Sequence, residues 1–404
     1  MRKIITFLGT KPLETVYEMQ EKTYPGRVFA EALREFVRFD KMLVLTTKEA
    51  AEKTWPILEN LGDPRIERVP IPDGKDTEEM WGIFQAVIEQ VNEGETVIFD
   101  ITHGFRSLPF LAFLFAAYLK TAKKVNIEAI YYGAYDMAAQ NDGKAPVIDL
   151  SPFAEMLDWI TATDQFVRTG NARRLAELLN PQGKKRGMAA EASQTLSAVS
   201  MAAFLCQPFE LMKTARELEQ KLADAQSELE LNARPFQVLR EQIVGEFGRF
   251  GADFQSNEQE ALRQEFQLVE WYFENGQLMQ ALTLAREWLI DAVTFRLDEP
   301  LNFAKDPRTT KEWAISGLDR VGRLLVDEQR KGTIDDLNAD GKKVWEWPER
   351  QLLRDTWNAI QYPRNTLDHA GHQREPLHPK TIQRKAEKEI LPNLRKLAEA
   401  WELA

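Results

Sequence analysis

The chain has 404 residues, 44% hydrophobic and 28% charged, with a formal net charge of −11. That length exceeds what one core serves and predicts two domains with linking helices; the acidic balance argues against coating long nucleic acid, so any nucleotide or nucleic-acid site must be a local basic pocket. A lone cysteine, Cys206, excludes a disulfide framework and thiolate metal clusters and points to a reducing, cytoplasmic setting, and no run of about 18 apolar residues offers a membrane span.

The chain opens with a strand, Lys3 to Leu8, that stops at Gly9-Thr10-Lys11-Pro12, a turn carrying a small residue, a hydroxyl and a cation. Strand and helix then alternate: a helix from Arg27 to Arg38, a strand Met42 to Thr46, a helix Lys48 to Asn60, a strand Ile66 to Ile71 and a helix Glu78 to Val91. A buried strand follows at Thr96 to Phe99, then a polar turn from Asp100 to Arg106, a helix from about Ser107 to Thr121, and strands at Ile127 to Tyr135 and Pro146 to Asp149. Six strands at this spacing imply βαβ crossovers and a mainly parallel, Rossmann-like sheet over the first 152 residues. In such a sheet the carboxyl ends of the first and fourth strands flank the crevice where ligands sit, with backbone N–H groups and helix amino ends facing outward.

The turn after the fourth strand is the most functional stretch of this half. Asp100, Thr102, His103, Gly104 and Arg106 put a carboxylate, a hydroxyl, an imidazole, a glycine and a guanidinium into seven residues. Taken singly, Asp100 can cap a helix, Gly104 can supply positive φ and Arg106 can pair with a surface carboxylate; the concentration is what such local roles leave unexplained. The chain has no Gly-x-Gly-x-x-Gly after its first strand and no Gly-x-x-x-x-Gly-Lys-Ser/Thr loop, so dinucleotide-dehydrogenase and phosphate-loop readings lose their main support.

Asp100-Ile-Thr-His-Gly104 resembles the Asp-x-Thr-His-Gly signature of the CRISPR-associated Rossmann-fold (CARF) sensor domains, which bind cyclic oligoadenylates. The resemblance implies ligand contacts from two turns: Gly9, Thr10 and Lys11 in one, and Asp100, Thr102, His103, Gly104 and Arg106 in the other. Backbone N–H groups with Lys11 or Arg106 would hold the phosphates, and Thr102 and His103 the ribose hydroxyls or base edges. A two-fold cyclic ligand, a tetra- or hexa-adenylate, matches a two-fold protein, so a homodimer or higher homo-oligomer is implied.

From Ser151 onward helical periodicity replaces strands. A linker region spans residues 153–256, with helices at about Ala190 to Phe204, Glu210 to Asn232 and Pro235 to Phe250, and a basic break at Lys184 to Arg186 that reads as a solvated loop. A helical pair from Asn257 to Leu297 turns at Glu274-Asn-Gly276, and its aromatics, Trp271, Tyr272, Phe273, Trp288 and Phe295, read as core because helical spacing explains them. A further helix covers Glu312 to Glu328, and a polar insertion runs from Gly332 to Lys343.

The second polar cluster lies at Arg364-Asn-Thr-Leu-Asp-His369, with His372 and His378 close behind, three of the four histidines of the chain. A metal site there lacks a His-Glu-x-x-His pattern and a nearby cysteine. A purely structural account pairs Arg364 with a carboxylate and leaves His369 near a helix end. Arg364, the polar Asn365 and then His369 resemble the Arg-polar-x-x-x-His signature of HEPN ribonucleases. Together with the sensor-like half, the chain resembles a type III CRISPR accessory ribonuclease, which implies a HEPN-like domain over residues 257–404 that cuts single-stranded RNA without metal or cofactor. The resemblance gives His369 proton transfer or phosphate positioning, Arg364 transition-state charge and Asn365 positioning. On one straight helix Asn365 and His369 share a face whereas Arg364 lies about 140° from His369, so either Pro363 alters the path or two protomers share the site. Two rivals stand beside this: a nucleotide-sensing regulator that cuts nothing, and a sensor domain that itself degrades its cyclic ligand.

Overall fold

A computed structural model describes residues 1–103, 108–229, 234–253, 256–301, 305–324 and 333–404, and the chain divides into two compact units, Met1–Asp158 and Trp159–Ala404. In the first unit, among the described residues, β1 (Arg2–Leu8), β2 (Thr15–Met19), β3 (Lys22–Gly26), β4 (Lys41–Thr46), β5 (Ile66–Pro70), β6 (Thr96–Asp100), β7 (Asn126–Gly133) and β8 (Lys144–Asp149) form one sheet in the order β3-β2-β8-β7-β6-β1-β4-β5. The central pairs, β1 with β4 and β6, β4 with β5, and β6 with β7, are parallel; β2 with β3 and β7 with β8 are antiparallel. The expected mainly parallel α/β architecture followed by an all-helical region is the one observed.

The helices of this unit are α1 (Phe29–Phe36), α2 (Lys48–Lys53), α3 (Trp55–Glu59), α4 (Thr77–Glu89) and α5 (Leu108–Lys123). Successive side chains of a strand point to opposite faces, and the central strands β1, β4 and β6 are buried on both. Ile5 and Phe7 join Leu43, Val97 and Phe99 in a core closed by Val87 of α4 and Phe115 of α5, whereas Ile4 and Leu8 join Met42, Val44 and Ile98 in a core closed by Phe29 and Leu33 of α1. Burial on both faces fixes the register, which sets Thr6 of β1 opposite Asp100 of β6.

Two features depart from the sequence expectation. The β2–β3 hairpin adds two strands to the six expected; it reverses at Gln20, which takes φ +57°, without the Asn-Gly or Asp-Gly pair that announces such a turn. The helix expected from Lys48 to Asn60 breaks at Thr54, just ahead of Pro56 in the first turn of α3, where a missing N–H costs nothing.

The second unit is helical throughout its described residues. α6 (Ser151–Thr169) leads into it, followed by α7 (Arg173–Leu179), α8 (Met188–Phe204), α9 (Pro208–Leu229), α10 (Arg234–Phe247), α11 (Glu258–Glu274), α12 (Leu278–Arg296), α13 (Lys305–Leu324), α14 (Ala339–Trp345), α15 (Arg350–Asp368), α16 (Pro379–Lys385) and α17 (Leu391–Ala400). α13 begins seven residues before the expected Glu312, with Pro307 tolerated in its first turn. Gly276, at φ +69°, turns α11 into α12 as expected. Trp271, Tyr272 and Trp288 are fully buried, and their polar atoms are used: Trp271 Nε1 donates to Glu246 at 2.6 Å, Trp288 Nε1 to the Leu262 carbonyl at 3.0 Å, and the Tyr272 hydroxyl to the Ala203 carbonyl. An ion chain runs from Asp291 through Arg308, Glu287 and Arg286 to Glu312, and Arg286 lies over the Trp357 ring, which anchors α15 on α12 and α13. No helix among the described residues is long and apolar enough to cross a membrane.

Candidate functional site

The first polar cluster is built where β1 and β6 end. Asp100, the last residue of β6, is fully buried. One carboxylate oxygen accepts from the Thr6 hydroxyl at 2.6 Å and the other from the Thr102 backbone N–H at 2.8 Å. Burial pushes the carboxyl above its ordinary range, against the pull of His103 and of these two donors. The Thr102 hydroxyl accepts from the Gly133 N–H at 2.8 Å, which ties the turn after β6 to the end of β7. The turn is thus braced from both neighbouring strands, each Asp100 oxygen and the Thr102 hydroxyl meeting a donor.

His103 sits at the mouth of this arrangement. Its Nε2 lies 3.1 Å from the backbone N–H of Phe29, the first residue of α1, so Nε2 accepts and the neutral ring carries its proton on Nδ1. Burial depresses the imidazole, with Asp100 pulling the other way; the amide contact and the burial favour the same neutral form. The first turn meets it directly: a Cβ on Gly9 would stand 3.3 Å from the His103 carbonyl oxygen and 3.4 Å from its Cβ. The two turns expected to share a crevice are therefore in contact. Thr10 is half-buried and Lys11 exposed beside them; Gly104 and Arg106 lie outside the described residues.

Sequence reasoning missed four members of this region. Thr6 is the donor that holds Asp100. Gly133 has no room for a side chain, since a Cβ would fall 2.9 Å from the Tyr17 ring and 3.0 Å from that of Phe29. Tyr17, from the unforeseen hairpin, is fully buried with a hydroxyl that has no partner among the described residues, and burial, then Asp100, Glu31 and Tyr135, push its phenol well up. Tyr135 is 40% exposed, its ring 17° from the plane of His103 at 6.1 Å between centroids. The glycine closing the run Ile130-Tyr-Tyr-Gly133 was the available signal, being a small residue at the end of a strand adjacent to β6.

The second cluster closes α15. The helix runs uninterrupted through the buried Pro363 to Asp368, with His369 as its cap. Arg364 Nε pairs with Asp368 at 2.8 Å one turn on, whereas the Asn365 carbonyl accepts from the His369 N–H at 3.1 Å. Arg364 and His369 thus share one helix end but lie about 140° apart round its axis, as their spacing requires, so one chain does not bring the two side chains together. Beyond the cap, Ala370 and Gly371 take φ of +49° and +76°, and the chain is strapped back: the Thr366 hydroxyl contacts the Tyr362 carbonyl at 3.0 Å and Gln373 Oε1 at 3.2 Å, and the Tyr362 hydroxyl donates to the Glu375 carbonyl. His369 and His372 are exposed, and His372 Nδ1 lies 3.2 Å from the His369 carbonyl. His378 caps α16, its Nδ1 accepting from the Lys380 N–H at 3.2 Å. Among the described residues no group of three or more His, Cys, Asp or Glu could hold a metal ion.

Residues 155–258 match a family model described as the second domain of the CRISPR-associated protein MJ1674. The CRISPR-associated protein MJ1674 of Methanocaldococcus jannaschii is 34% identical over 148 residues, 36% of this chain and 23% of that protein. The match therefore spans less than a quarter of the relative's own length. A solved structure, Enterococcus italicus Csm6 bound to cyclic hexa-2'-fluoro-hexa-dAMP, overlays on 99% of this chain and 94% of its own at 11% identity and a TM-score of 0.44, a likeness too loose to carry ligand or activity across.

Proposed function

We propose that this chain is a cyclic oligoadenylate-activated endoribonuclease of type III CRISPR defence, acting in the cytoplasm as a homodimer or higher homo-oligomer. Residues 1–152 form its CARF-like sensor, 153–256 a helical linker and 257–404 a HEPN-like ribonuclease domain. A cyclic tetra- or hexa-adenylate is the activator and single-stranded RNA the substrate, with neither metal nor cofactor in the reaction. The observation that carries the proposal is the braced crevice of Thr6, Asp100, Thr102 and His103 against Gly9, found in the same chain as Arg364, Asn365 and His369 at one exposed helix end. The similarity of about a third of the chain to a CRISPR-associated protein supports the same setting.

The chemistry asks for three things: a base for the 2′-hydroxyl, an acid for the leaving 5′-oxygen and positive charge for the pentavalent phosphate. As the 2′-oxygen bonds to phosphorus and the P–O5′ bond breaks, His369 moves a proton and the Arg364 guanidinium holds the phosphate oxygens. Asn365 positions the phosphate. α15 runs on through Pro363, which leaves Arg364 and His369 about 140° apart round one helix; the HEPN resemblance implies that the same two residues of a second protomer complete the site. Ligand binding then acts by aligning the two halves, a coupling between distinct sites.

Cleavage of a labelled single-stranded RNA in EDTA, by the wild type and by His369→Ala with each ring present, tests this. Loss of ring-dependent cleavage in the variant is expected; cleavage that survives it refutes the catalytic assignment.

A further inference from the structure

Tyr135 follows β7 by two residues, at the carboxyl end of the strand beside β6. Its foundation is fixed: Gly133 donates to the Thr102 hydroxyl at 2.8 Å, and the Ala134 N–H donates to the Pro146 carbonyl at 2.9 Å. One side of its ring is offset-stacked against His103, itself held by the Phe29 amide. Even so, the residue remains 40% exposed. An aromatic ring held beside a crevice and left partly open offers a flat apolar surface at low entropic cost. Every nucleobase has a face to lay on it, and purines have the larger one.

We infer that Tyr135 is the base-stacking residue of the nucleotide crevice, taking a purine on the side of its ring turned away from His103 and so contributing selectivity for adenine rings. This rests on the proposed sensor role of the crevice. Stacking uses the ring and not the hydroxyl, so Tyr135→Phe retains the function and Tyr135→Ala removes it.

The test is isothermal titration of the full chain, wild type, Tyr135→Phe and Tyr135→Ala, with cyclic tetra-adenylate, cyclic hexa-adenylate and a cyclic tetra-uridylate. The Ala variant is expected to bind the preferred adenylate ring about tenfold or more weakly, as loss of one base stack predicts, and to lose part of the preference for adenylate over uridylate. The Phe variant stays within about threefold of wild type, the loss of one hydroxyl being small where it makes no contact with the ligand. Absorbance at 260 nm gives a second readout, with the hypochromic change on binding smaller in the Ala variant. Unchanged adenylate binding by the Ala variant overturns the inference and leaves the sensor role standing. Equal weakening for adenylate and uridylate rings also overturns it, since that is the mark of a structural residue. A wild type that binds neither adenylate ring overturns the sensor role and the stacking residue together.

Discussion

Gly133→Ala puts the geometry of the crevice to a direct test. A Cβ at this position would lie 2.9 Å from Tyr17 Cε1 and 3.0 Å from two ring carbons of Phe29. Both rings are fully buried and pack on each other at 5.0 Å between centroids, so neither can swing aside. Overpacking of this kind costs about 1–3 kcal/mol, and Gly→Ala returns about 0.4–1 kcal/mol through the unfolded chain, for a net loss of about 1–2 kcal/mol. For a unit the size of Met1–Asp158 that is a fall of about 2–8 °C in Tm. The same shift moves the Gly133 N–H off the Thr102 hydroxyl, so ring binding weakens along with stability. Gly245 is the control of opposite sign: it lies inside α10, exposed, with nothing within 4 Å of where a Cβ would stand, and Gly245→Ala is expected to stabilise by about 0.5–1 kcal/mol. Urea unfolding followed by near-ultraviolet circular dichroism reads both. A Gly133→Ala protein as stable as wild type would show that the Tyr17, Phe29 and Gly133 packing is wrong.

Three further outcomes follow from the interior. Thr6→Val keeps the shape but leaves an Asp100 oxygen without its 2.6 Å donor, and denaturant titration should show a loss of about 1–3 kcal/mol, the usual cost of orphaning a buried acceptor; no loss would mean the bond is absent. Burial lifts Asp291 to about 6, against the pull of Arg308, while an unfolded aspartate titrates near about 3.9. An acid raised by folding stabilises fully below its unfolded value, and that contribution is lost as pH climbs from about 3.9 through about 6; calorimetry from pH 4 to pH 7 should show a Tm that declines up to about pH 6 and levels above it, a decline that Asp291→Asn reduces, and an equally steep decline in the variant refutes the assignment. Burial, then Glu265 and Glu287, push the Cys206 thiol up to about 12, so a disulfide reagent at pH 8 should leave it untouched until denaturant is added, because the thiolate is the reactive form; rapid native labelling contradicts this.

The central strands β1, β4 and β6 were legible because each is a short, doubly buried apolar run, and such runs have few alternatives. The β2–β3 hairpin was not, since Thr15-Val-Tyr-Glu-Met19 mixes polar and apolar residues weakly and Gln20-Glu21 carries no turn signature. The crevice was half legible. Asp100 and His103 stand out in the sequence, but what fixes them does not: the Thr6 hydroxyl is 94 residues from Asp100 and the Phe29 amide 74 from His103, and it takes the pairing of β1 with β6 and the packing of α1 on the sheet to bring them together. At α15 the spacing alone placed Arg364 and His369 on different faces. The Asp368 partner of Arg364 follows from the same periodicity, four residues on, whereas the straps from Thr366 to Gln373 and from Tyr362 to Glu375 depend on a chain reversal that no periodicity encodes.

The central claim is that one chain couples a cyclic oligoadenylate to RNA cleavage. Initial rates of cleavage of a fluorescent single-stranded RNA in EDTA, titrated with cyclic tetra-adenylate and with cyclic hexa-adenylate, measure that coupling in one experiment. The account predicts negligible cleavage without ring and saturable activation by one of them, half-maximal near the ring's own Kd. Equal cleavage with and without ring, or tight binding of a ring with no cleavage at any concentration, would contradict it.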